Sequence, residues 1–105
     1  GPLPEAVLNL LQIAKIQLAA SACKIEAIFQ ENKIIKIKWE PEHDLTGPAL
    51  MQLVRRYRRK VSFNVAEGLE LKINVGNLAA SERLGFLEEI IAEISSLASA
   101  EQVLI

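Results

Sequence analysis

The sequence predicts an α+β domain in the order helix-hairpin-helix-hairpin-helix, a four-stranded antiparallel sheet with helices packed on one face. Three observations predict it. Apolar residues recur at three- and four-residue spacing over residues 3–22 and again from about residue 79 onward, the period of a helix. Between these segments lie two pairs of short stretches that alternate apolar and polar residues, each pair joined by turn-forming residues. The apolar positions of all four stretches fall on one side of the sheet, which leaves that side for the helices to cover.

The first helix is expected from Leu3 to Ala22, with Pro4 in the first turn, where its missing N–H costs nothing. Glu5, Asn9 and Gln12 form one narrow polar stripe, and Val7, Leu10, Leu11, Ala14 and Leu18 fill the other side. A stripe this narrow predicts a largely buried helix.

The first hairpin follows. Ile25, Ala27 and Phe29 alternate with polar neighbours, as do Ile35, Ile37 and Trp39. A two-residue Glu31-Asn32 turn would set Ile37 opposite Glu26 and mix the faces. A three-residue loop, Glu31 to Lys33, pairs Phe29 with Ile35, Ala27 with Ile37 and Ile25 with Trp39. It also sets Glu26 against Lys38 and Lys24 against Glu40, so this register is the expected one. Trp39 then turns toward the helices.

The second helix has Thr46 as its N-cap, Pro48 in its first turn, and Leu50, Leu53, Val54 and Tyr57 on its inner face. In the second hairpin, Val61, Phe63 and Val65 match Leu69, Leu71 and Ile73 when Val65 faces Leu69. That leaves Ala66-Glu67-Gly68 as the loop, with Gly68 where a positive φ is needed. The closing helix begins near Ala79 or Ser81, and Leu84, Leu87, Ile90, Ile91, Ile94 and Leu97 form its apolar side. Glu82, Glu88 and Glu89 lie toward its start, which suits the helix dipole. The two helix–hairpin units resemble a loose structural repeat.

At 105 residues, half of them hydrophobic, the chain is expected to form a single domain over residues 1–105 with one core. Its apolar runs are broken every few residues by Gln, Lys or Glu, so no membrane span is expected. The 12 Lys and Arg against 13 Asp and Glu give no global pull on nucleic acid. A mean hydropathy of +0.22 is high for so small a domain, and suggests a surface that a neighbour normally covers. One cysteine cannot staple the fold, which suits a reducing cytoplasm.

Little catalytic chemistry is visible. His43, the only histidine, sits in a polar loop, and Cys23 lies at a helix-to-strand junction with no histidine near it in sequence. One such pair makes no metal site. The five glycines are dispersed, so no phosphate loop is present. No catalytic residue, cofactor or metal is expected, nor turnover of ATP by this chain. The basic cluster Arg55, Arg56, Arg58, Arg59 and Lys60 reads either as a patch for a phosphate-bearing or acidic partner or as a solvated helix C-terminus, and the second reading is preferred. The open sheet face is expected to show Lys24, Glu26, Ile28, Lys36, Lys38, Ser62, Asn64, Glu70 and Lys72. With Phe29, Trp39 and Phe63 turned inward, it offers no base-stacking platform.

The opening GPLPEAVLNLLQIAKIQL resembles a stretch of the bacterial transcription-repair coupling factors, where a pattern like R-F-G-x-L-P-x-x-V-x-N-L-L opens the C-terminal domain. Gly1, Leu3, Pro4, Val7, Asn9, Leu10 and Leu11 match it, and the later layout is similar along the whole chain. Ala22-Cys23-Lys24 departs from the family, which tends to carry a glycine before this strand. The resemblance implies that Gly1 belongs to the native motif and that the chain starts mid-protein, although a Gly-Pro protease scar could coincide with it. It further implies a regulatory, autoinhibitory domain of a cytoplasmic ATP-dependent DNA translocase that displaces stalled RNA polymerase and recruits excision repair through UvrA. In that family the C-terminal domain docks on a UvrB-like N-terminal module of the same polypeptide and masks its UvrA-binding surface. The acidic residues associated with that contact lie upstream of the matched motif. No interface residue carries over by motif match. Glu5, Asn9 and Gln12 are the candidates because they form the polar stripe of the adjoining helix. The alternative from a different class is a stand-alone nucleic-acid-binding module using Arg55 to Lys60.

Overall fold

The computed structural model describes residues 4–102, with side chains through residue 98. Gly1 and Leu3 of the opening motif, and the expected helix start at Leu3, lie outside the described residues. Three helices and a four-stranded antiparallel sheet follow in the predicted order: α1 (Glu5–Ala22), β1 (Ile25–Glu31), β2 (Ile34–Trp39), α2 (Gly47–Tyr57), β3 (Val61–Asn64), β4 (Glu70–Asn74) and α3 (Ala80–Gln102), with a 3-10 turn, Arg58–Lys60, between α2 and β3.

The strand order is β1-β2-β4-β3, so the second strand of each hairpin lies at the centre. Ile35 pairs with Ile73 and Ile37 with Leu71 across that junction. These four side chains and Trp39 are buried, as are Leu50 and Leu53 of α2 and Leu87, Ile90, Ile91 and Ile94 of α3. The core is therefore the layer between one sheet face and the helices. Ile37, Leu71, Ile73, Ile90 and Ile94 are wholly excluded from solvent, and each contributes about 1.5–3 kcal/mol.

The helix boundaries have local causes. Pro4 stands at the N-cap of α1, just outside the first turn where it was expected, and its carbonyl accepts from the N–H groups of Val7 and Leu8. Thr46 caps α2, its hydroxyl accepting from the Ala49 N–H at 3.4 Å. At the start of α3 the Ala79 N–H donates to the Glu82 carboxylate at 3.1 Å, half of a capping box.

The first hairpin differs from its expected register. Its turn has two residues, Asn32-Lys33, because Glu31 pairs directly with Ile34. Asn32, at φ 56°, takes the positive-φ position, which asparagine tolerates better than the lysine the longer loop required. Ile25 still faces Trp39, as expected, but the register shifts between Ile25 and Ala27. That bulge at Glu26 adds one residue to β1 and reverses the facing of everything beyond it. Ile37 faces Ile28, and Phe29 faces Lys36. Ile28 packs toward the core, while Phe29 is 41% exposed on the open sheet face with the Lys36 ammonium 5.9 Å from its ring centroid. The expected inward Phe29, outward Ile28 and Glu26–Lys38 pairing are thereby corrected.

The second hairpin keeps its expected register. Asn64 pairs with Glu70 and Phe63 with Leu71, the alignment that sets Val65 across from Leu69. Gly68 has φ 101°, the conformation its loop position required. Strand pairing stops at Asn64, however, and Val65 is 63% exposed where the apolar alternation placed it inward.

Candidate docking surface

The feature of this fold that most needs explaining is α1. At about 100° per residue, Glu5, Asn9, Gln12, Ile16, Ala20 and Cys23 share one line along the helix. Ile16 and Ala20 on that line are buried, and Gln12 donates its amide to the Glu88 carboxylate of α3 at 3.0 Å. The polar stripe thus lies on the α3 side of the helix. Gln12 is half-buried there, and Glu5 and Asn9 are exposed beyond the point where α1 is covered.

The opposite side is apolar and uncovered. Val7, Leu11, Ala14 and Leu18 follow one another at spacings of four, three and four, the seam of a helix that packs on another helix. Leu18 is 75% and Leu10 66% exposed, and Leu8 and Leu11 are each about half exposed. The expectation of a largely buried helix with these residues inward is overturned. The physical reason is that α1 offers apolar side chains on nearly every side. Burial went to the line carrying the small Ala20 and Ala19, which permits close approach to the sheet and α3.

The turn out of α1 explains the departure at residues 22–24. Lys24 has φ 60°, the left-handed position that glycine favours after a helix. Its ammonium reaches the Glu42 carbonyl and the Asp44 carboxylate, both at 3.3 Å, tying this turn to the loop before α2. Cys23 is half-buried, and burial pushes its thiol pKa up against the opposing effect of a hydrogen bond with Ser95. His43 is half-buried in the same loop, its Nδ1 accepting from the Leu45 N–H at 3.2 Å. No group of three His, Cys, Asp or Glu residues is placed to hold a metal ion among the described residues.

The basic cluster closes α2 and runs through the 3-10 turn. Arg56 pairs with Glu93 of α3 at 3.5 Å, and the Lys60 ammonium lies 5.5 Å from the Phe86 ring centroid. Arg55, Arg58 and Arg59 are exposed, with no ion pair among the described residues. The structure therefore places the cluster and the α1 face on different elements. Sequence reasoning missed the apolar face as a surface, and the signal for it was the high mean hydropathy.

The described residues make a small α+β domain in which six of the nine exposed large hydrophobic side chains, Val7, Leu8, Leu10, Leu11, Ile13 and Leu18, lie on α1. The TRCF domain family matches residues 1–50, which carry α1, the first hairpin and the start of α2. That family is the C-terminal domain of transcription-repair coupling factor, and the match to this chain is confined to residues 1–50. No curated protein and no solved structure gave a significant match. No helix among the described residues is long and apolar enough to cross a membrane.

Proposed function

We propose that this chain is the C-terminal autoinhibitory domain of a transcription-repair coupling factor, Mfd. It docks in cis on the UvrB-like N-terminal module and masks the surface that UvrA uses. On this reading the parent is a cytoplasmic ATP-dependent DNA translocase that displaces stalled RNA polymerase. This domain, spanning residues 1–105, supplies its regulation and not its catalysis.

The observation that carries the reading is the uncovered apolar face of α1. Burying the exposed parts of Leu8, Leu10, Leu11 and Leu18 together would contribute roughly 4–7 kcal/mol. Free association costs about 4–15 kcal/mol in lost motion, so a patch of this size holds an untethered partner poorly. A partner on the same polypeptide sits at an effective concentration in the millimolar range, where the same patch suffices. A clamp that must open on demand needs a coupling of only a few kcal/mol. Glu5 and Asn9 lie on the opposite line of α1, exposed near its N-terminus, and would meet only a partner that reaches around that end, while Gln12 is engaged with α3.

The test is to measure UvrA binding by the parent with and without residues 1–105. Removing the domain should strengthen binding. Equal affinity of the two forms contradicts the clamp.

A further inference from the structure

We propose that Arg55, Arg58, Arg59 and Lys60 form a site for the phosphodiester backbone of duplex DNA, separate from the docking face of α1. The cluster holds five cations in the six residues Arg55–Lys60. One, Arg56, is neutralised by Glu93. Arg58, Arg59 and Lys60 line a shallow hollow of about 370 Å³ together with Arg56 and Tyr57, and Arg55 is exposed one turn back on α2. Guanidinium forks on such a rim match phosphate oxygens in geometry as well as charge.

Arg58 adds a second observation. It sits at φ 51°, ψ −120°, where an L side chain is strained and glycine is at ease. Backbone of this kind costs of order 1–3 kcal/mol and clusters at functional sites. An arginine here supplies charge to the rim at the expense of stability.

The neighbouring rings decide between duplex and single strand. Tyr57 and Phe86 pack edge to face at 5.8 Å, and each carries a cation, Arg56 over Tyr57 and Lys60 over Phe86. Both rings are also partly buried against the core, so they do not form the open stacking platform that single-strand binding uses. Contact is then with the backbone alone and carries no sequence preference.

The experiment is fluorescence anisotropy of a short labelled duplex with the chain itself. It uses neither UvrA nor the rest of the parent, so its outcome is independent of the cis-docking reading. Three to four phosphate contacts predict weak binding that falls about 40- to 150-fold between ~50 and ~200 mM salt. Arg55→Glu with Arg59→Glu should abolish it. Arg58→Gly should raise the thermal midpoint while weakening binding, a combination that a merely structural role would not produce. Absence of salt-dependent binding at ~50 mM, unchanged affinity in Arg58→Gly, tighter binding of the single strand than of the duplex, or capture of an acidic peptide in preference to DNA would each overturn the proposal.

Discussion

The Gln12 amide donates to the Glu88 carboxylate at 3.0 Å, joining α1 to α3 across 76 positions of sequence. This bond lies on the line of α1 that continues into Ile16 and Ala20, so it turns the stripe of Glu5, Asn9 and Gln12 toward α3 and the leucines toward solvent. A hydrogen bond to a partly buried carboxylate contributes about 1–2 kcal/mol. Gln12→Ala should therefore lower stability by about that amount. Denaturant unfolding of Gln12→Ala, Glu88→Ala and the double variant checks it: the coupling between the two sites should be about 0.5–1.5 kcal/mol, and additive losses would separate the residues.

Lys24→Gly should stabilise the domain. The left-handed conformation costs an L residue about 1–2 kcal/mol, while the exposed Lys24–Asp44 pair contributes at most about 1 kcal/mol. A net gain of about 0.5–1 kcal/mol is expected. Thermal unfolding measures it, and a lowered midpoint would show that the tether to the Glu42–Asp44 loop outweighs the strain.

The Glu31 carboxylate lies 2.6 Å from the Lys36 ammonium. The hydrogen bond from Lys36 is the main cause holding the Glu31 pKa below its ordinary value, with the charge of Lys36 next. A depressed carboxylate pKa contributes stability above its unfolded value, and that contribution is lost as pH falls through the folded value. The Lys36 pKa is raised by the same bond, so its share persists up to the ordinary lysine range and is lost only above it. Thermal midpoints followed from about pH 6 down to about pH 3 should fall less steeply in Glu31→Gln than in the unaltered chain. Identical slopes would show the pair to be thermodynamically silent.

The sequence was read most successfully where one pattern dominated. The second hairpin is such a case, since only one alignment of Val61, Phe63, Leu71 and Ile73 keeps the apolar faces together, and Gly68 marks its turn. Thr46 and Pro48 fixed the start of α2 in the same way. The first hairpin was harder because β1 holds apolar residues on both parities, Ala27 and Phe29 on one and Ile28 on the other. Strict alternation cannot reveal a bulge that reconciles an Ile25–Trp39 pair with a two-residue turn. In α1 the sheer number of apolar residues removed the contrast that tells inside from outside. Polar residues ordinarily mark the solvent side, but here three of them share a line with Ile16 and Ala20. The strand order depended on contacts between β2 and β4, which no local pattern encodes.

The central claim is that the apolar face of α1 holds the domain against a tethered partner and so restrains UvrA binding. The most direct measurement is the UvrA affinity of the full-length parent carrying Leu10→Ser, Leu11→Ser and Leu18→Ser, compared with the unaltered parent. These side chains are exposed in the isolated domain, so the fold should tolerate the changes, which thermal unfolding of this chain would verify. Loss of a coupling of a few kcal/mol predicts UvrA binding at least about tenfold tighter in the variant, approaching that of the parent lacking the domain. UvrA affinity unchanged by the three substitutions, with deletion of the domain still tightening binding, would contradict the assignment of α1 as the docking face.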